Sequence, residues 1–535
     1  MRADTVLLFV VAAVAVVVAV RWTAERTGMP SAALLTIAGI AYSVLPGPNI
    51  PLNPSYVLAF VIPPLLYSAA LDSSLLAIRR NLTTVISLSV LLVVFTALII
   101  GVGFTWFVAG ATLAAGVAVG AAVAPPDPVA ALGVARTSGL PVRLVTLIQG
   151  EGLLNDATAL TLLSVAVVAA EGDGFSAPSA LGQFLLSAAG GIVAGTIVAY
   201  AVRMLRHVAK EPLTANAVSL VTPYVAYLLA ERVHVSGVLA VVVTGLIIGH
   251  DAPRWASGAS RLQTGAVWRL VDYLLEGLVF LLIGQQLPQI LEGLRQYDAG
   301  TIVPAVAVTV GVVVLFRPLW LVLTQTVPAA ISRRFRAADA LSGREVIALS
   351  WAGTRGVISL AAIFTVPLTT TAGDPFPLRD LLVFCTLVAV LVTLLGQGLT
   401  FAWLVRVLRL HASEADQAVL RNEARSASVH AALIRLDEMD TDEPDADPRL
   451  IARTRERLHT RLRRYQGRLD SLRSGAEVGA ASSADYQEES RMRHVTIEAQ
   501  REELLRWRDA GRLPDEGMRV LERELDHEEH MLPPK

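Results

Sequence analysis

The stretch Ala124-Pro-Pro-Asp-Pro-Val-Ala130 lies in the middle of a long apolar run and decides how the chain folds. Three prolines within four positions cannot stay in a continuous helix, because each lacks an amide hydrogen and its ring clashes with the preceding turn. At membrane depth such a break is tolerated only where it is buried in protein or lines a wet cavity. Asp127 lies at the break, where we expect it to cap the second half-helix. The alternative is a simple proline kink.

The rest of the chain has the composition of a membrane protein followed by a polar tail. Of its 535 residues 54% are hydrophobic, and the mean hydropathy of +0.55 excludes a purely soluble protein. Residues 411–535 carry 48 of the 91 charged side chains, with Arg and Glu at helical spacing. We predict an all-α polytopic membrane domain over 1–410 and a helical tail over 411–535, which is a candidate for a regulatory role. Thirteen apolar runs are long enough to cross a bilayer: 4–20, 31–46, 56–77, 83–104, 112–135, 145–170, 181–202, 214–231, 236–250, 269–291, 301–331, 344–367 and 380–408.

The positive charges between these runs predict an orientation. One set of alternate loops holds 18 Lys and Arg residues and the other set holds 4. Positive loops face the cytoplasm, so we expect the N-terminus outside and the tail in the cytoplasm, with a bacterial plasma membrane as the location. The net charge of −1 argues against nucleic acid as a partner. Cys385 is the single cysteine, which excludes disulfides within the chain and a Cys-based metal site.

A second break is predicted in the twelfth run. Trp351-Ala-Gly-Thr-Arg-Gly-Val-Ile-Ser-Leu360 places glycines around a buried arginine at comparable depth. The fifth and twelfth runs occupy equivalent places if runs 1–6 and 8–13 are two halves around the seventh. Paired broken helices in two inverted repeats are typical of secondary transporters. We therefore predict two unwound helices that cross.

Charges at bilayer depth usually line a pathway or pair with one another, because each costs at least ~2.5 kcal/mol to insert. The charged residues expected deepest in the membrane are Asp127, Glu151, Asp156, Arg317 and Arg355. Three other acids, Asp72, Glu276 and Glu345, are expected nearer to helix ends, with structural or interfacial roles.

The sixth run carries a carboxamide and two carboxylates in Glu151-Gly-Leu-Leu-Asn-Asp156. Glu151 and Asn155 share a helix face at i and i+4, and Asp156 is turned by one residue. A carboxylate in a partly dry cavity can hold a proton or a desolvated cation but rarely both. We expect Glu151 to pair with a buried arginine, Arg317 or alternatively Arg355.

These features together favour secondary-active exchange of a monovalent cation for a proton. A channel or an ion sensor is the second interpretation. A third interpretation, an intramembrane enzyme, would need paired aspartates, Gly-x-Ser-Gly or His-Glu-x-x-His, and the predicted spans contain none of these. We therefore expect a transporter with no cofactor.

Six motifs in order resemble the monovalent cation:proton antiporter-1 family, which contains bacterial NhaP-type proteins and eukaryotic sodium/proton exchangers. The resemblance covers roughly residues 5–408 and rests on Ile62-Pro-Pro-Leu-Leu-Tyr, Asp127-Pro-Val-Ala, Glu151-Gly-Leu-Leu-Asn-Asp, Ser236-Gly-Val-Leu-Ala, Glu276-Gly-Leu-Val-Phe-Leu-Leu-Ile-Gly and Gly353-Thr-Arg-Gly-Val-Ile-Ser-Leu.

The resemblance implies a homodimer in which a core with two crossing, unwound helices moves by an elevator-like step. It implies that Asp156 binds the cation or proton and that Asn155 orients the site. Glu151 would pair with Arg317, and Arg355 would balance the half-helix dipoles. An Asn-Asp pair in place of two aspartates implies electroneutral exchange.

Two positions depart from the family pattern. Pro126 replaces the Thr that many NhaP-type members have before Asp-Pro, so a hydroxyl ligand is lost while a backbone carbonyl remains. Ser68 stands where many members have Glu. Both departures concern the ion-binding group, for which we select Asp156, Asn155, Pro126, Asp127 and Ser68. We expect Na⁺ as the transported cation, with K⁺ as the alternative and Li⁺ also open.

Overall fold

The computed structural model describes the following parts of the chain: residues 3–27, 29–44, 56–170, 177–208, 211–256, 258–326, 341–370, 373–410, 414–442, 447–473, 479–510, 521 and 524–525. The chain divides into two compact units, Met1–His411 and Ala412–Lys535. In the described parts the β pairing is limited to one isolated bridge between Thr369 and Pro375, so the prediction of an all-helical fold is confirmed.

The first unit contains seventeen helices in its described residues. They are α1 (Ala3–Thr27), α2 (Ser31–Ser43), α3 (Val57–Leu71), α4 (Leu75–Arg80), α5 (Leu82–Phe107), α6 (Leu113–Val123), α7 (Val129–Ser138), α8 (Val142–Ala170), α9 (Ala177–Val208), α10 (Pro212–Arg232), α11 (Gly237–Trp255), α12 (Gly258–Gln285), α13 (Leu287–Gly293), α14 (Ala299–Thr326), α15 (Gly343–Trp351), α16 (Val357–Phe364) and α17 (Arg379–Leu408).

Seven helices in the described ranges are long and apolar enough to cross a membrane: α5, α8, α10 and α14, most of α9 and α11, and α17. Each predicted span contains at least one described helix, and the third, fifth, tenth and twelfth spans each extend over two helices. That every one of the thirteen crosses the bilayer, and that they form inverted repeats, stay predictions.

Local sequence sets where these helices begin. Thr112 caps α6, because its hydroxyl accepts a hydrogen bond from the amide of Ala115 at 3.1 Å. Ser236 caps α11 in the same way. At α15 the hydroxyl of Ser342 and the carboxylate of Glu345 form a reciprocal capping box. Glu345 therefore lies at a helix end, as expected from the sequence.

Two breaks interrupt this helical architecture. The prolines of residues 124–128 separate α6 from α7, and residues 352–356 separate α15 from α16. Both segments are largely buried. The prediction of two helix breaks is confirmed.

Small residues let neighbouring helices approach closely. An added Cβ at Gly39 of α2 would overlap the carbonyl oxygen of Leu281 on α12, and one at Gly284 would overlap that of Thr36. Contact between backbones gives van der Waals packing where lipid removes the hydrophobic driving force. This glycine contact fixes α2 against α12.

The second unit is also helical. Its helices are α18 (Glu414–Asp442), α19 (Pro448–Arg473) and α20 (Gly479–Asp509). Arg455 near the start of α19 pairs with Asp437 and Asp440 near the end of α18, and Arg473 at the other end of α19 pairs with Glu423. These contacts require α18 and α19 to run antiparallel.

Candidate functional site

The two helix breaks are joined directly by hydrogen bonds. The amide of Asp127 donates to the carbonyl oxygen of Thr354 at 2.7 Å, and the Thr354 hydroxyl donates to the carbonyl oxygen of Asp127 at 2.9 Å. The Asp127 carboxylate accepts a hydrogen bond from the amide of Val129, the first residue of α7, at 2.9 Å. Asp127 therefore caps the second half-helix as predicted, and its backbone joins the two breaks.

Arg355 fills the space between the broken ends. Its guanidinium donates to the carbonyl oxygen of Val123, the last residue of α6, at 2.5 Å and to that of Gly353 at 2.6 Å. Its amide donates to the hydroxyl of Thr393 on α17 at 3.0 Å. The carbonyl end of a helix carries partial negative charge, so a buried arginine there offsets it.

Asn155 and Asp156 of α8 lie beside the first break. The side-chain amide of Asn155 donates to the carbonyl oxygen of Pro126 at 2.9 Å, while its own carbonyl oxygen is buried and has no hydrogen-bond partner among the described residues. Asp156 is 5% exposed. Its carboxylate accepts no hydrogen bond from any residue that the structure describes, and its charge and that of Asp127 act on each other. Two acids and an orphaned amide oxygen thus meet where the helices are broken.

A buried ion pair braces this region. Both guanidinium NH₂ groups of Arg317 donate to the Glu151 carboxylate, one of them at 2.8 Å. The same guanidinium donates twice to the carbonyl oxygen of Leu349 on α15, at 3.0 and 3.1 Å. Both side chains are only 2% exposed. Of the two arginines considered from the sequence, Arg317 is the one paired with Glu151.

Ser68 lies apart from this group. Its hydroxyl donates to the carboxylate of Asp272 on α12 at 2.5 Å. The two residues line a cavity of about 440 Å³ whose lining also includes Arg206, Arg261 and Arg269 but none of Asp127, Asn155 or Asp156. The structure therefore brings Asp156, Asn155, Pro126 and Asp127 together and leaves Ser68 with another acid.

A second ion pair approaches the first break from α12. Arg21 of α1 donates to one carboxylate oxygen of Glu276 at 2.8 Å and stacks over the ring of Tyr273. In the part of the chain that the structure describes, the other Glu276 oxygen is buried without a hydrogen-bond partner, and the carboxylate is near enough for its charge to act on Asp127. Glu276 lies in the interior of α12, so the expectation of a helix-end position was wrong.

Sequence reasoning missed Thr354, Glu276 and Asp272 as neighbours of the predicted residues. Thr354 could have been found, because it is the hydroxyl residue inside the second break. Asp272 and Glu276 are spaced by four residues and share a face of α12, a signal that was available within the predicted tenth span.

Broken helices that carry buried charges inside a helical membrane domain are characteristic of membrane transporters. The family model for the transmembrane sodium/hydrogen exchanger matches residues 11–407. The chain therefore belongs to the sodium/hydrogen exchanger family, and its class of activity is cation/proton antiport across a membrane, which is transport rather than enzymatic catalysis.

Relatives agree with this assignment. The chain is similar to an uncharacterised Na⁺/H⁺ exchanger of Mycobacterium tuberculosis, at 33% identity over 98% of this chain and 96% of that protein. It is 28% identical to the sodium, potassium, lithium and rubidium/H⁺ antiporter of Bacillus pumilus over 67% of this chain and 55% of that one. The solved sodium proton antiporter MjNhaP1 of Methanocaldococcus jannaschii matches its fold with a TM-score of 0.58, at 19% identity over 76% of this chain and 99% of that structure.

Proposed function

We propose that this protein exchanges Na⁺ for H⁺ at Asp156, one ion for one proton, in the plasma membrane. The observation that carries the proposal is the Asp156 carboxylate, which is buried beside two broken helices and receives no hydrogen bond from the described residues. A buried carboxylate is stable only when a proton or a cation neutralises it. Competition between the two for one group is sufficient for coupled exchange.

The neighbouring groups have distinct proposed roles. Asn155 holds the first break through the Pro126 carbonyl and leaves its own buried oxygen free to contact the ion. Asp127 adds a second negative charge. Arg355 stabilises the broken ends, and Glu151 with Arg317 braces the helices around them. Ser68 is hydrogen-bonded to Asp272 and would influence ion binding without contacting the residues around Asp156.

The decisive experiment compares proton-gradient dissipation in proteoliposomes for the wild type and Asp156→Asn, adding Na⁺, Li⁺ and K⁺ in turn. We expect dissipation by the wild type with Na⁺, and loss of at least ~100-fold in the variant, because an amide cannot release a proton. Asp298→Asn is the matched control: the same change at an exposed position, where asparagine also caps a helix.

The possible outcomes separate the hypotheses. Activity that survives in Asp156→Asn would place the ion-binding carboxylate elsewhere. A wild type inactive with all three cations would contradict exchange, and a conductance unaffected by the proton gradient would indicate a channel. Activity with K⁺ alone would select K⁺/H⁺ exchange. Electroneutrality requires that the sodium-driven rate does not change when a membrane potential is imposed.

Alternating access by an elevator-like step, in a homodimer, is the transport mechanism that we propose from the family resemblance. The bonded pair of breaks supports it, because the backbone contact between Asp127 and Thr354 would let the two broken helices move as one body. Cross-linking in membranes tests the dimer.

We further propose that residues 1–410 carry the exchange and that 411–535 regulate it. Truncation after Arg409 should then change the pH response while exchange persists; an unchanged pH response would eliminate the regulatory role.

A further inference from the structure

The helix α19 carries an unusual concentration of positive charge. It contains nine arginines and two acidic residues, which gives a net charge of +7. Its neighbours are acidic: α18 has seven acidic and three basic residues, and α20 has seven acidic and five basic. Among these three helices, a net positive charge is therefore found on α19 alone.

The arginines of α19 are not evenly distributed around it. Four of them recur at intervals of three or four residues, at Arg453, Arg457, Arg461 and Arg464. At 100° per residue they fall within about 80° of the circumference, along about 17 Å of the helix. Glu456 and Asp470 project well outside this sector, so the sector carries no negative charge. We call these four residues the arginine stripe.

The arginine stripe is exposed and uncompensated. Arg453, Arg457, Arg461 and Arg464 are all exposed, and no carboxylate of the described residues pairs with any of them. Leu450 lies in the same sector and is 61% exposed. The like charges of the stripe repel one another, and a surface of opposite charge placed against them would offset this repulsion.

The stripe is not the face by which α19 is held in the tail. Arg455 and Arg473, which pair with carboxylates of α18, lie outside the sector. The buried apolar residues Ile451, Leu462 and Leu469 lie on another side of the helix, as expected for packing within the tail. The arginine stripe is thus free for a partner without disturbing the helical hairpin.

We propose that the arginine stripe of α19 docks on the anionic phospholipid headgroups of the membrane that the chain spans. Phosphate groups match guanidinium donors in charge and geometry, and arginine stretches near a membrane bind anionic leaflets. The last helix of the first unit ends at Leu408 and α18 begins at Glu414, so a short tether keeps the tail near that membrane at high effective concentration. Exposed Leu450 in the same sector would enter the interface with the arginines.

The test uses the full-length protein in vesicles with a quencher on the lipid headgroups. A single cysteine labelled with a fluorophore is placed on the stripe by Leu450→Cys, or on the opposite side of α19 by Gln466→Cys, in a Cys385→Ala background. We expect strong quenching of the label at position 450 in phosphatidylcholine vesicles containing phosphatidylglycerol. Weak quenching is expected for the label at position 466, and for both labels in pure phosphatidylcholine. Raising choline chloride to about 1 M should release the tail, because the screening length falls to about 3 Å.

Matched variants separate the stripe from total charge. Arg457→Gln with Arg461→Gln should lower the ratio of docked to undocked tail by at least about tenfold. Each arginine at an anionic surface contributes a factor of about five to this ratio. Arg449→Gln with Arg463→Gln removes the same charge off the stripe and should leave docking nearly unchanged. Glutamine has a similar helix propensity, so the hairpin is preserved in both pairs.

Three outcomes would overturn the proposal. Equal quenching in neutral and anionic vesicles would mean that lipid charge is not recognised. Equal loss of docking in the two pairs of variants would mean that the stripe is not the contact face. No quenching in either lipid would mean that protein, such as the tail of a second copy, covers the stripe.

Discussion

The Glu151–Arg317 pair shows how one buried contact connects several helices. The guanidinium joins the Glu151 carboxylate on α8 to the carbonyl oxygen of Leu349, in the last turn of α15 before the break. An added Cβ at Gly353 would lie 2.8 Å from the Arg317 side chain, so the glycine leaves room for it. Four hydrogen bonds therefore satisfy a charge that the bilayer could not solvate.

Removing both members of this pair should cost less than the sum of the costs of removing each one alone. We expect Glu151→Gln to lower the free energy of unfolding by about 3–5 kcal/mol, because it leaves the Arg317 charge uncompensated. Glu151→Gln with Arg317→Met should cost less than the two single changes added together. Denaturation in detergent measures this, with the exposed Glu25→Gln as control. Additive losses would mean that the two side chains do not act as a pair.

Glu276 should tune the affinity for the cation. Its charge acts on Asp127, and one of its oxygens is buried and receives no hydrogen bond from a described residue. We expect Glu276→Gln to raise the half-saturating cation concentration about fivefold, because roughly 1 kcal/mol of attraction is lost, while the maximal rate is kept. Arg21→Gln should not raise it, since the acidic group remains. If both variants weaken binding equally, the ion pair has only a structural role.

The sequence identified the central residues because they lie in two short segments and each is improbable in a membrane. Asp127, Glu151, Asn155 and Asp156 all occur within thirty positions, and their residue types alone suggested ion chemistry. The contacts of Arg21 with Glu276 and of Ser68 with Asp272 join helices that are more than 200 residues apart. No period or spacing encodes such partners.

At the scale of helices, the packing of the two breaks depends on the absence of a side chain at Gly356. An added Cβ there would overlap the carboxylate of Asp127. Gly356→Ala should therefore force the breaks apart and reduce exchange by at least about tenfold. Gly311→Ala, inside α14 with nothing within 4 Å of the added atom, is the matched control and should retain activity. Full exchange by Gly356→Ala would show that the close contact is dispensable.

Helix limits were harder to predict than helix breaks. Three prolines terminate a helix by their own chemistry, so the first break was visible in the sequence. The tenth apolar run was predicted to begin at 269, whereas α12 begins at Gly258. Hydropathy identifies only the apolar part of a helix. The polar first turns of α12 precede its apolar part, so hydropathy does not detect them. The same limit applies to α9, which extends beyond its apolar segment at both ends.

For the whole molecule, the uneven distribution of charge along the chain predicts the membrane topology. Stretches with few charges indicate the spans, and the positive charges of the loops indicate their orientation. Each of the thirteen predicted spans contains a described helix, and one set of alternate loops carries 18 of the 22 Lys and Arg residues of the loops. Thirteen crossings, an odd number, would place the two ends of the chain on opposite sides of the membrane. The positive loops predict that the tail lies in the cytoplasm.

Cysteine labelling in intact cells tests this topology directly. Cys385 is the only cysteine and is buried, so replacing it by alanine gives a background without thiols. Ala109→Cys, in the exposed connection after α5, should react with a membrane-impermeant maleimide from outside. Ser428→Cys, exposed on α18, should react only after the membrane is permeabilised. The nine predicted spans between these positions require opposite sides, so labelling of both from one side would contradict the span count. Labelling of Ser428→Cys alone would keep the count and invert the orientation, and the positive charges would then face outward.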